Sequence, residues 1–219
     1  MIASELLSND LVPLRTSDTG EDALGVMRDF LVQHLPIVND RELLGLLSED
    51  DVLDHDVAEA VGSYRLSLPY ARVREGDHLY EVMRLVAEYD LTAVPVIDAD
   101  GMYGGLITAA DLLNFYARTA TFTETGSILV LEVQRRDYAL SEIARIAESE
   151  NAIILSSFVE SLGEGSLLQV TIKVNHEHVE GIIATFQRFG YEIKATFNEG
   201  VAIGTLRERY DALISYLNV

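Results

Sequence analysis

The chain has 219 residues, 48% hydrophobic and 24% charged, which excludes a disordered chain and leaves room for one or two domains. Acidic residues number 36 against 16 basic ones, a formal net charge of −20 that repels a phosphate backbone and an anionic membrane surface alike. The absence of cysteine removes disulfides, thiolate zinc sites and a cysteine nucleophile; no apolar run or basic start marks a membrane span or signal peptide, so the expected compartment is the cytoplasm.

Charge is uneven along the chain. Residues 1–120 hold 22 acidic and 8 basic groups, all of the latter arginine, and lysine occurs only at Lys173 and Lys194. The same stretch contains a repeat. Leu35-Pro36-Ile37-Val38 matches Val94-Pro95-Val96-Ile97 at an offset of 59, which also aligns Leu14 with Val73, Arg15 with Arg74, Asp18 with Asp77, Leu24 with Met83 and Phe30 with Tyr89. After one extra turn residue, Gly45–Leu53 aligns with Gly105–Leu113. In the first copy the pattern predicts a leading strand, a helix over 20–33 with Leu24, Met27, Phe30 and Leu31 on one face, strands at 35–38 and 43–47, and a helix opened by Ser48. In the second it predicts a leading strand, a helix over 79–90 with Leu79, Val82, Met83 and Val86 on one face, strands at 94–97 and 102–107, and a helix opened by Thr108. Neither copy is long enough to bury its own faces, so the two are expected to pack together.

Ser48-x-x-Asp51 and Thr108-x-x-Asp111 sit between a strand and a helix in both copies. Each is a capping box in which hydroxyl and carboxylate satisfy first-turn N–H groups. Such a helix start can also receive a phosphate, and a carboxylate held there can accept both hydroxyls of a ribose. Gly45 and Gly105, three residues earlier, permit close packing or close approach.

On these residues, residues 1–120 resemble a tandem of CBS domains. The resemblance implies a disc-like module with two pseudo-equivalent clefts for adenosyl compounds. By position, Asp51 and Asp111 would hold ribose, with Ser48 and Thr108 near ribose or phosphate. The backbone around His34-Leu35-Pro36 and Ala93-Val94-Pro95 would border adenine, and the first-strand positions Val12-Pro13 and Tyr70-Ala71 would close the clefts. His34 departs from the pattern: it can stack on a base, fill the cleft, or stand as a half-exposed strand-end histidine, the reading favoured here. Only arginines such as Arg15, Arg41, Arg65, Arg72 or Arg74 are available for phosphate. The acidity of this half favours a monophosphate, or an uncharged or cationic adenosyl compound, over metal-free ATP.

Residues 126–199 read as βαββαβ: strands at 127–134, 153–160, 167–174 and 193–197, helices at 139–150 (Leu140, Ile143, Ala144 and Ala147 on one face) and 177–189, and Gly190 as a left-handed cap. That order folds as a ferredoxin-like sheet with both helices on one face. On the segment Arg136-Asp137-Tyr138-Ala139-Leu140-x-x-Ile143 this half resembles an ACT domain. Tyr138 stands where that family usually has glycine and would plug an amino-acid site, which favours a dimerising or structural role. Thr205–Leu217 is amphipathic through Leu206, Tyr210, Leu213, Ile214 and Leu217, a helix to be buried on a domain or a second copy.

The fold expected is therefore α+β: CBS repeats at 1–58 and 59–120, an ACT-like domain at 126–199 and a C-terminal helix at 204–219, a layout that resembles the acetoin-utilisation regulatory family. No nucleophile elbow, P-loop or dinucleotide motif is present, and neither His176-x-His178 nor the acidic run Glu49–Asp56 has the ligand order of a metal site, so no catalytic or metal-ligating residue is assigned. Two functions stay open. One is a non-enzymatic homodimeric sensor of AMP, ADP, ATP or S-adenosylmethionine, its downstream partner unnamed. The other is a ligand-free scaffold whose clefts are plugged.

Overall fold

The computed structural model describes residues 1–8, 10–163 and 165–198. Contacts divide the chain into two units, Met1–Tyr116 and a second that starts at Ala117. The expected helix at 204–219 lies outside the described residues.

The first unit contains the repeat twice over. β1 (Leu14–Arg15), α1 (Gly20–Phe30), β2 (His34–Asn39), β3 (Glu42–Ser48) and α2 (Glu49–Leu53) are followed by β4 (Val73–Arg74), α3 (Leu79–Tyr89), β5 (Ala93–Ile97), β6 (Tyr103–Thr108) and α4 (Ala109–Ala117). Each copy forms a three-stranded sheet, β1-β2-β3 or β4-β5-β6, in which the first pair is parallel and the second antiparallel. The first strands begin two or three residues later than the positions the resemblance implies. Val12-Pro13 and Tyr70-Ala71 precede them, because the paired residues are those that lead into an aspartate turn. Arg15 N–H donates to the Asp18 carboxylate and Arg74 N–H to that of Asp77, each at 2.8 Å.

The helices are shorter than predicted. Thr19 and Asp22 cap α1 reciprocally (3.2 and 3.0 Å), and it ends at Leu31, whose φ of 54° is left-handed. Ending there turns Leu31 and Phe30 outward (89% and 45% exposed), so the buried face is Ala23 and Met27. α3 stops in the same way at Asp90, buries Leu79 and Val82, and leaves Met83 exposed.

The copies interlock through exchanged segments. Residues from the N-terminus, Ala3 and Leu6, lie in the core of the second copy, while Val61 and Tyr64 of the inter-repeat linker lie in the core of the first. Ala3, Ser4 and Ser8 donate N–H groups to Asp77, Glu75 and Leu106 (2.9, 3.0 and 2.8 Å). In the linker, Val61 and Gly62 donate to Asp18 and Thr16, and Leu68 C=O accepts from Leu46 (2.8, 3.1 and 3.2 Å). The two motif glycines make room for these segments. A Cβ on Gly45 would stand 2.6 Å from Leu66 Cδ1 and 3.2 Å from Pro69 Cα, and one on Gly105 would stand 3.0 Å from Leu7 Cδ2.

The second unit comprises α5 (Ala120–Thr123), β7 (Ser127–Gln134), α6 (Leu140–Ser149), β8 (Ile154–Leu162), β9 (Leu167–Val174), α7 (Glu180–Arg188) and β10 (Glu192–Asn198). Its sheet is antiparallel in the order β10-β7-β9-β8, the ferredoxin-like arrangement. Alternate residues Leu129 and Leu131, and Leu168, Val170, Ile172 and Val174, meet Ile143, Ile146, Ala147, Ile182 and Phe186 of the helices. Leu140 does not join them: as the first helical residue it is 46% exposed, and Ile146 takes the buried position instead. Tyr138 packs against this core, and Gly190 adopts the left-handed cap expected of it (φ 84°). No helix among the described residues is long and apolar enough to cross a membrane.

Candidate functional site

Strand register assembles the residues singled out by sequence into two equivalent groups. His34, Leu35 and Pro36 pair with Ser48, Leu47 and Leu46; Ala93, Val94 and Pro95 pair with Thr108, Ile107 and Leu106. All six members of the inner strands are buried. Each outer strand runs directly into its helix, so Asp51 and Asp111 stand one turn beyond the strand end in both groups.

Both motifs form the capping box the sequence predicts. Asp51 N–H donates to Ser48 Oγ (3.0 Å) and Ser48 N–H to Asp51 Oδ2 (3.1 Å). Asp111 N–H donates to Thr108 Oγ1 (3.1 Å), while Thr108 N–H and O–H donate to Asp111 Oδ2 (2.9 and 2.6 Å). Beyond the box the two differ. Asp51 is 7% exposed and also accepts from Ser67: N–H to Oδ1 and Oδ2 at 3.2 and 3.4 Å, and O–H to Oδ2 at 3.1 Å. Asp111 is half-buried, and among the described residues no hydrogen bond reaches its Oδ1. The helices differ too. α2 has five residues and α4 nine, so the summed peptide dipole at the strand–helix junction is greater beside Asp111.

The sequence reading missed Ser67. The signal was present, because Leu7-Ser8 matches Leu66-Ser67 at the repeat offset. The leucines behave alike, each packing over a motif glycine, but the serines do not: Ser8 N–H goes to Leu106 C=O, whereas Ser67 goes to Asp51.

His34 is not the half-exposed strand-end residue expected. It is 8% exposed because it is sealed into the seam between the copies. Thr92 N–H donates to its Nδ1 (3.2 Å), Thr92 Oγ1 lies 3.0 Å from the same nitrogen, and Gln33 N–H donates to Thr92 Oγ1 (2.8 Å). An amide can only donate, so Nδ1 is an acceptor and the ring proton sits on Nε2. Burial pushes the His34 pKa below its ordinary value, opposed by the charges of Asp51 and Asp50. The unfolded chain therefore binds the proton more readily. Stability from this group is complete above about pH 6.5 and is lost as pH falls through the depressed folded value. We expect the urea midpoint of the first unit to fall between pH 7.5 and pH 5.5, and His34→Gln to flatten that slope. Equal slopes in the two proteins would show that His34 does not carry the effect.

The residues expected to close the clefts are placed separately. Val12 (72% exposed) and Pro13 line a cleft of about 530 Å³ with Arg15, Thr16, Asn39 and Asp40, and neither Thr108 nor Asp111 lines it. Tyr70 (81% exposed) and Ala71 line one of about 190 Å³ with Ser67, Leu68, Leu85 and Tyr89. Of the candidate phosphate ligands, Arg41 is paired with Asp98 at 3.0 Å. His176 Nε2 lies 3.1 Å from Asn151 C=O. Among the described residues no three His, Asp or Glu side chains gather as a metal site would require.

A family model described as CBS domain matches residues 3–58 and 61–118. Inosine-5'-monophosphate dehydrogenase from Helicobacter pylori is 28% identical over 106 residues, which is 48% of this chain and 22% of the dehydrogenase. The chain thus spans about a fifth of that relative's length. A CBS domain pair/ACT domain protein from Thermotoga maritima is similar in structure, with 23% identity and a TM-score of 0.48 over 53% of this chain and 96% of that one. CBSX2, solved in complex with AMP, is similar with 24% identity and a TM-score of 0.46, over 53% of this chain and 96% of that one.

Proposed function

We propose, from the premise that this chain belongs to the CBS domain family, that it is a non-enzymatic regulatory protein that senses an adenosyl compound in the cleft at Thr108 and Asp111. The observation that carries the reading is that Asp111, half-buried and held in place through Oδ2 by two donors from Thr108, has no hydrogen bond on Oδ1 among the described residues. A carboxylate so held accepts the vicinal hydroxyls of a ribose without reorganising. Buried strand residues Ala93, Val94 and Pro95, proposed to border the base, pair with Thr108, Ile107 and Leu106 on the strand that leads to it. The two repeats act as CBS units, and the second unit acts as an ACT-like domain for dimerisation or signal transmission in a cytoplasmic homodimer of the acetoin-utilisation regulatory type. The self-satisfied carboxylate of Asp51 favours a second reading for the other cleft, that of a plugged scaffold.

Mass spectrometry of small molecules released from the purified protein tests the proposal, followed by calorimetry with AMP, ADP, ATP and S-adenosylmethionine. One adenosyl ligand per chain is expected, with AMP ahead of metal-free ATP. No co-purifying adenosyl compound and no heat with any of the four would overturn the sensor and leave the scaffold. Light scattering should give twice the chain mass at micromolar concentration; the mass of a single chain would remove the homodimer.

A further inference from the structure

We infer that Ser67 is an intrachain competitor for the ribose-holding carboxylate of Asp51, so that ligand entry at this cleft and attachment of the inter-repeat linker exclude one another. The inference rests on the adenosyl reading above and extends it to the control of the second cleft. A ribose offers a carboxylate two adjacent O–H donors. Ser67 offers Asp51 two adjacent donors as well, its N–H and its O–H, at 3.1 to 3.4 Å. With Ser48 N–H on Oδ2 too, the carboxylate accepts from three donors, and both of its oxygens are in use.

The linker is held by more than one bond: besides those to Asp18, Thr16 and Leu46, a group of them converges on α2 and the loop after it. Arg65 N–H donates to His55 Nε2 (3.3 Å), which leaves the ring proton on Nδ1, 2.6 Å from Asp51 C=O. Tyr64 stacks on His55 with ring centroids 4.3 Å apart, and its hydroxyl donates to Asp56 C=O (2.8 Å). Ser67 itself is exposed on its outer side, so lifting it costs the bonds to Asp51 and little packing. The serine at the equivalent position, Ser8, spends its N–H on Leu106 C=O rather than on Asp111. Of the two motif carboxylates, Asp51 is thus latched to the linker and Asp111 is not. Occupying the latched one releases the segment that joins the two copies.

Amide hydrogen exchange and AMP titration of the full chain test this. In the ligand-free protein, Asp51→Ala should speed exchange at the Arg65 and Ser67 amides at least about tenfold, and Asp111→Ala should leave them unchanged. Wild type should bind one AMP per chain with these amides still protected. Ser67→Ala should bind a second AMP at least about tenfold more tightly than wild type can. Unchanged linker exchange in Asp51→Ala overturns the latch. So does a second AMP on wild type with the linker amides still protected, or a single AMP on wild type with no second on Ser67→Ala; each leaves the adenosyl reading intact. No AMP on either protein overturns the adenosyl reading and the competition with it, while faster exchange in Asp51→Ala would still establish the attachment.

Discussion

Asp51→Ala should lower the stability of the first unit by about 2–3 kcal/mol and Asp111→Ala by about 1 kcal/mol, although the two carboxylates occupy matching positions of a repeated motif. The difference follows from what each accepts. Asp111 closes a capping box on a half-buried helix start, and its loss is the loss of a cap. Asp51 closes the same box but is almost fully buried and carries the linker on its other lone pairs. Removing it takes the acceptor from Ser48 N–H and from both Ser67 donors and unties a segment whose Tyr64 lies in the core of the first copy. Urea unfolding followed by far-UV circular dichroism should show the midpoint for Asp51→Ala reduced by about 1–2 M. Asp51→Asn, which keeps an acceptor oxygen, should lie between that variant and wild type. Equal shifts for the two alanine variants would mean that the bonds to Ser67 contribute nothing.

The parts of the fold that could be read from sequence are those set by local chemistry that occurs twice. Strand–turn–strand pairs with Pro36 and Pro95, the two capping boxes and the alternation of β7 and β9 all depend on residues within a few positions of one another. What could not be read depends on partners far along the chain. Thr92 seals His34 from 58 residues away, and periodicity within one strand carries no trace of it. Helix faces failed at their ends for a related reason. Leu31 and Leu140 fit an apolar period, but a left-handed stop and a first-turn position turn them outward. The asymmetry of the clefts is the deepest case. Leu-Ser at 7–8 and 66–67 is identical in sequence, and only the exchange of segments between copies decides that one serine reaches a carboxylate and the other a carbonyl.

That asymmetry fixes the expected pattern of binding. Asp111→Ala should weaken AMP about a hundredfold, because a charged acceptor hydrogen-bonded to ligand contributes roughly 1.5–3 kcal/mol and each 1.4 kcal/mol is about tenfold. Asp111→Asn, with one acceptor and no charge, should weaken it about tenfold. Asp51→Ala should leave the affinity of the first AMP within about threefold, since that ligand never meets Asp51. Calorimetry at constant ionic strength distinguishes these outcomes. If Asp51→Ala abolishes the first binding event and Asp111→Ala does not, the open cleft has been assigned to the wrong copy. The charge of the first 120 residues, 22 acidic against 8 basic, adds a second arm. Each further phosphoryl group on the ligand meets that field, so metal-free ATP should bind more weakly than AMP at low salt. Added salt shortens the screening length to about 3 Å at 1 M and should narrow the gap. A gap that does not move with salt would place the discrimination in direct contacts to the phosphates rather than in the acidity of the repeats.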